Sequence, residues 1–191
     1  DRFESRGLGD VYKRQENDNS ADAYLKFFNS DGGESGACGN GTRCIANFIS
    51  KETDNKTIIL KTFSGLLKSE ILGNKIVTTE IGKAKTDWSE IPLLEKLDTR
   101  NLNIKILDIN DKEHIGGTAV NVGNPHIIFF VNELNDFNIK KIGPEIENHS
   151  IFPEKCNVTI AQVINKDLIK VKVWERGCLL YTSDAADEVD G

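Results

Sequence analysis

The 191-residue sequence predicts an α+β fold in two parts, each a mostly antiparallel sheet packed around a helix, and three observations carry that prediction. Short β-branched and aromatic runs follow one another in both halves, spaced closely enough for hairpins. One stretch in each half changes to the 3.6-residue period of an amphipathic helix. Between the halves, residues 82–94 break the strand rhythm with mixed polar residues, Trp88 and Pro92, as a crossover between domains does.

In chain order, Ala23 to Phe28 (AYLKFF) reads as a strand entering the turn-forming run Asn29 to Gly33. After Gly41 the apolar residues Ile45, Phe48 and Ile49 fall at i, i+3 and i+4, which predicts a helix from the CGNG loop to about Lys51. Strands follow at Lys56 to Thr62, Leu66 to Leu72 and, past the Gly73-Asn74 turn, Lys75 to Ile81. The second half predicts strands at Ile104 to Ile109, Thr118 to Val122, Ile127 to Val131, Val158 to Ile164 and Leu168 to Trp174, with a helix near Ile139 to Glu147. The two ends, Asp1 to Gln15 and Cys178 to Gly191, show neither period and are expected to be foreign to the fold or without order; GLGDVYKRQ and CLLYTSDAADE resemble translated adapter read-through. The expected division is 1–15, an N-terminal domain at 16–90, a C-terminal domain at 91–177, and a tail at 178–191.

Composition narrows the function classes. A hydrophobic share of 38% with 28% charged residues is that of an ordinary globular chain. A net charge of -6, with no basic patch interleaved with aromatics, argues against a nucleic-acid partner. The longest apolar runs, such as Ile127 to Val131, fall far short of the ~20 residues that span a bilayer, and no signal peptide opens the sequence. No membrane partner and a cytoplasmic location are therefore expected. Four cysteines, at 38, 44, 156 and 178, are too few and too irregular for a disulfide framework.

The chemistry concentrates in Asn29 to Cys44, which holds five glycines and opens a helix. Backbone N–H groups and the positive dipole end at such a point attract an anion, a carboxylate as well as a phosphate. Cys38 sits at the same helix start, where the dipole favours a thiolate. Donors for a carboxylate and a base beside Cα are what abstraction of an amino acid's α-proton requires, with a second thiol on the opposite face to return a proton. Nothing points to a pyridoxal lysine or a metal, so no cofactor is expected.

The segment FFNSDGGESGACGNGTRC resembles the first catalytic motif of the diaminopimelate epimerase family. Further on, Gly123-Asn124-Pro125-His126 resembles that family's GNPH, Phe152-Pro153 with Asn157-Val158 its FP…NV element, and Trp174-Glu175-Arg176-Gly177 the start of its ERG motif. The resemblance covers about Ala23 to Gly177. It implies two pseudo-symmetric domains, each with a sheet wrapped around a central helix and the site in the cleft between them. It also implies isomerisation of LL- to meso-diaminopimelate for lysine and cell-wall synthesis, by two cysteines acting as acid and base. Cys38 would be one of these thiols. The Gly39 and Asn40 amides would bind the carboxylate at the reacting carbon, and Asn29, Asn124, Asn157 and Arg176 the distal end. Glu175 and His126 would sit beside the thiols and help set their protonation. A small-molecule substrate is the expected partner, and homodimerisation stays open.

The pattern breaks at its end. The family's ERG motif runs on to a second cysteine in an ACGTG loop about eight residues past the arginine, where this sequence has Asp184. Cys178 lies too close to Arg176 to replace it, so the chain as written is expected to be truncated at both ends and inactive as an epimerase. A racemase of another amino acid, such as histidine, and a noncatalytic amino-acid-binding protein are the alternatives. Plainer readings stand beside each residue. Cys38 could be a small loop residue. Cys44 is expected in the core, while Cys156 and Cys178 are given no role. His126 could be a hydrogen-bonded histidine after a Pro turn, and His114 and His149 are expected to be solvated. Glu175-Arg176 could be an exposed ion pair at a strand end.

Overall fold

The computed structural model describes residues 2–5, 8–14, 20–28, 34–35, 38–63, 65–73 and 76–176. Two compact units divide the chain, Asp1–Lys83 and Ala84–Gly191.

In the first unit, strands β1 (Arg2–Ser5), β2 (Leu8–Arg14), β3 (Ala23–Phe28) and β4 (Glu34–Ser35) precede helix α1 (Gly39–Thr53), and β5 (Thr57–Thr62), β6 (Gly65–Gly73) and β7 (Ile76–Thr79) follow it. They form one sheet in the order β1-β2-β3-β5-β6-β7, with β4 paired to β3. Among the described residues of this unit only the β3–β5 pair is parallel, and α1 is its crossover. Alternation sets the buried face: Ala23, Leu25 and Phe27 of β3 and Ile58 and Leu60 of β5 point to one side, where Ile45, Ala46 and Ile49 of α1 cover them. Each fully buried Ile or Leu here contributes about 1.5–3 kcal/mol. The helix stops at Asp54, whose φ of 59° takes the chain into the left-handed region, one turn after the basic Lys51.

The second unit holds β8 (Ile104–Leu107), β9 (Glu113–Gly116), β10 (Thr118–Asn121), β11 (Pro125–Val131), a 3₁₀ turn at Leu134–Asp136, α2 (Ile139–Glu147), β12 (Asn157–Asn165) and β13 (Leu168–Trp174). Its main sheet runs β10-β11-β12-β13, and β8 and β9 form a separate hairpin. Again a single pair among the described residues, β11–β12, is parallel, and α2 crosses between its strands. Asn138 caps α2 by accepting the Lys140 N–H at 3.1 Å. Ile142 and Ile146 of α2, Ile127 and Phe129 of β11, and Val158 and Ile160 of β12 meet in a core of their own.

The run β2-β3-α1-β5-β6 is thus repeated as β10-β11-α2-β12-β13, with the same sequence of antiparallel, parallel and antiparallel pairings. This repeat is the pseudo-symmetry that the family resemblance implies. No helix among the described residues is long and apolar enough to cross a membrane.

Within residues 1–15, expected to be foreign or without order, β1 and β2 lie along the edge of β3, Val11 opposite Phe27 and Lys13 opposite Leu25, a placement that leaves the origin of the segment open. The compact units divide after Lys83, seven residues before the expected domain boundary at residue 90. Lys85 already pairs with Asn121, and Ile91 and Leu93 are buried in the second core. The expected tail at 178–191 lies outside the described residues. Cys44 is exposed, not in the core, because the buried stripe of α1 runs through Thr42, Ile45, Ala46 and Ile49. His114 is not simply solvated: its Nε2 lies 3.2 Å from the buried Asp108 carboxylate, and its ring meets Phe137 edge-on at 4.9 Å. Burial pushes that carboxyl up, but the Lys112 N–H, the His114 ring and the Asn110 N–H outweigh it and hold Asp108 below its usual range.

Candidate functional site

The first group of predicted residues lies at the start of α1. Cys38 is the residue before the helix, with extended backbone at φ -145° and ψ 97°. Its sulfur accepts the N–H of Gly41 at 3.3 Å, and the helix starts with the Thr42 N–H on the Cys38 carbonyl at 2.9 Å. Thr42, itself buried, adds its hydroxyl to the same carbonyl at 2.8 Å. The thiol is therefore half-buried, held by the Gly41 N–H while Thr42 fixes the Cys38 carbonyl, and packed against the apolar core that contains Phe27.

Gly41 explains the shortness of this turn. A Cβ there would stand 2.9 Å from Phe27 Cε1 and 3.2 Å from Cys38 Sγ, so a side chain would compete with the sulfur for its place. Gly39 and Asn40 are exposed, and nothing lies within 4 Å of where a Gly39 side chain would begin. The N–H groups of these first helical residues have no partner within the helix and point along the positive dipole end. Arg43 donates to the Asn40 side-chain oxygen, which steadies the exposed face.

The second group lies in the second unit, where the parallel register sets His126 of β11 beside Asn157 of β12. Two residues far apart in sequence thereby become neighbours on one sheet face. Asn157 Nδ2 lies 3.1 Å from His126 Nε2, and Asn124 Oδ1 reaches the same nitrogen at 2.9 Å from the turn before β11. Asn157 Oδ1 accepts the backbone N–H of Arg176 at 2.7 Å, while Arg176 Nη1 donates to the Glu154 carbonyl at 2.8 Å. Asn124, His126, Asn157 and Arg176 thus form one connected polar group. The alternative of an exposed Glu175-Arg176 ion pair does not describe Arg176, which is half-buried and turned to the 154 carbonyl.

Burial first, and then the nearby Arg176 charge, lower His126 to about 4, so its ring is neutral near neutral pH. Close by, Cys156 is buried and bonds weakly to the Ile146 carbonyl at 3.8 Å. Burial and then the Glu147 carboxylate push that thiol up to about 12, against a smaller opposing pull from Arg176. Cys156 is accordingly an inert core residue, in keeping with the absence of a role for it in the sequence.

Asn29 lies outside the described residues, as do Cys178 and Asp184. Glu175 is half-buried between Trp174 and Arg176. Two contributors escaped the sequence reading, namely Thr42 and the Glu154 carbonyl. The first lay inside the quoted motif and the second directly follows Phe152-Pro153, so position within a motif was the available signal.

The diaminopimelate epimerase family model matches residues 7–86 and 118–178. The chain is 65% identical over 156 residues to the diaminopimelate epimerase of Pelagibacter ubique, covering 82% of this chain and 57% of that protein. It is 39% identical over 173 residues to the diaminopimelate epimerase of Acidiphilium cryptum, covering 90% and 61%. The chain therefore spans little more than half the length of these curated relatives. A crystal structure of a hydroxyproline epimerase from Agrobacterium vitis superposes with a TM-score of 0.59 at 14% identity, over 88% of this chain and 52% of that one, a likeness of fold alone. With a family match that takes in the Cys38 helix start, the Asn124 turn and the Asn157–Arg176 strands, the chain belongs to the diaminopimelate epimerase family.

Proposed function

We propose that this chain carries part of an enzyme that interconverts LL- and meso-diaminopimelate by proton transfer at Cα, without a cofactor, in the formation of lysine and peptidoglycan precursors. The observation that carries the reading is the Cys38 sulfur accepting the Gly41 N–H at the first turn of α1. An acceptor bond and a helix N-terminus both favour a thiolate over a thiol, and a thiolate held from water is a competent base. The exposed Gly39 and Asn40 amides would bind the substrate carboxylate as charge spreads into it during deprotonation.

The polar group around Asn157 would take the distal amino-acid end, with Asn29 as a further ligand. Arg176 supplies a guanidinium whose fork suits a carboxylate. Asn157 Oδ1 accepts one bond and keeps a lone pair, and because the neutral His126 Nε2 serves either Asn157 Nδ2 or Asn124 Oδ1, at least one Asn157 amide hydrogen is left for a ligand. His126 and Glu175 would tune the protonation of the reacting groups; a neutral His126 does so as a hydrogen-bonding ring instead of as a cation. No cysteine of this sequence stands at the spacing of the second thiol. The chain as written is therefore expected to bind and to exchange a proton on one face, without inverting the centre. Cytoplasmic location and homodimerisation belong to the same proposal.

The test is incubation in D₂O with LL- and meso-diaminopimelate. The expected result is binding, with deuterium entering one α-position with retention of configuration, and loss of that exchange in Cys38→Ala. Exchange that persists in Cys38→Ala removes the thiol from the mechanism. Binding without any exchange replaces the enzyme reading with a noncatalytic binding role, and tighter binding of histidine replaces the substrate.

A further inference from the structure

Resting on the reading that Arg176 takes the distal carboxylate, we propose that Glu147 is a positioning residue that seats Arg176. All the residues involved lie in the second unit. Glu147 is the last residue of α2, where the helix dipole disfavours an acid, and its side chain is only 8% exposed. A carboxylate in such a place is costly unless it is paired. Oε2 accepts the indole N–H of Trp174 at 2.7 Å, and Oε1 lies 3.5 Å from Lys155 Nζ. One turn back on α2, Gly143 forms the floor beneath that indole: a Cβ there would stand 2.3 Å from Trp174 Cγ and 2.5 Å from Cδ2. The indole is thus located by shape at Gly143 and by a charged hydrogen bond at Glu147.

The consequence appears two residues further along. Arg176 is held by its N–H on Asn157 Oδ1 and by its Nη1 on the Glu154 carbonyl. The first bond depends on where β13 ends, and β13 ends at Trp174. The second depends on the turn that contains Lys155. Both segments are tied to the two oxygens of the same carboxylate, so Glu147 sets the distance between the two halves of the arginine's seat. A leucine would fill the same volume but could hold neither segment. The charge is also felt at Cys156, in the same turn.

The test compares the full chain with Glu147→Leu and with Trp174→Phe, which keeps a ring over Gly143 but removes the indole N–H. Affinity is measured for meso-diaminopimelate and for L-lysine, which lacks the second carboxylate, together with hydrogen exchange at the Arg176 backbone N–H. Both variants are expected to weaken diaminopimelate binding about tenfold relative to lysine, the size of one charged hydrogen bond, and to speed exchange at Arg176. A merely structural loss would lower both affinities alike. Should Glu147→Leu fail to fold, Trp174→Phe decides. Unchanged ligand preference with unchanged Arg176 exchange overturns the proposal. If the unaltered chain binds no diaminopimelate, the substrate reading fails and Arg176 exchange alone decides the seating.

Discussion

At position 41 two opposing effects can be weighed. Alanine is the better helix former by about 1 kcal/mol. Its methyl, however, would start 2.9 Å from Phe27 Cε1 and 3.2 Å from the Cys38 sulfur, and Phe27 is only 4% exposed, so the ring has little room to yield. Overpacking of this kind costs about 1–3 kcal/mol, so Gly41→Ala is expected to lower the urea midpoint and to reduce proton exchange by displacing the sulfur. A midpoint at or above that of the unaltered chain would refute the tight turn. Cys38 was legible in the sequence because glycines leading into a helical period mark a helix start wherever the helix later packs. Cys44 was not, since its exposure depends on which side of α1 the sheet occupies, and the sheet sits against Ile45 and Ile49.

Among the elements, the first parallel pair is short, with Ala23 opposite Leu60 and Tyr24 opposite Lys61. Asp22 reinforces it just before the start of β3: its N–H donates to the Ile59 carbonyl at 2.8 Å, and its carboxylate accepts the Ile59 N–H at 2.7 Å. Asp22→Ala keeps the first bond and loses the second, so a loss of about 1 kcal/mol is expected in urea unfolding, with no change in slope. A loss near zero would mean that the bond is met equally well by water. Element bounds were most legible where the pattern was long and regular: α2 runs over Ile139–Glu147 and β13 over Leu168–Trp174, as the periodicity predicts. β9 was missed because Glu-His-Ile-Gly offers no apolar alternation, its Ile115 being 67% exposed. β1 and β2 were missed because their pairing rests on β3 and not on a pattern of their own.

At the scale of the whole molecule, each unit carries its own core, so stability should report each unit's own titrating groups. In the second unit His126 is lowered to about 4 from an ordinary 6.5. Between those values the unfolded chain binds a proton that the folded chain refuses, so stability falls as pH drops from about 6.5 to about 4 and recovers as pH rises. The integrated effect is on the order of 3 kcal/mol. Urea unfolding at pH 7, 5.5 and 4.5 is expected to show this loss in the unaltered chain and a much smaller one in His126→Gln; equal losses would place the titration elsewhere.

The sequence by itself determined the α+β class, the helix start at Cys38 and the family motifs, because periodicity and glycine placement act over a few residues. Only the tertiary structure decided that His126 lies beside Asn157, that Arg176 rests on the Glu154 carbonyl, and that Glu147 faces Trp174. Those contacts join residues brought together by strand register and by the packing of α2 on its sheet, and no local pattern encodes which distant strand will be the neighbour.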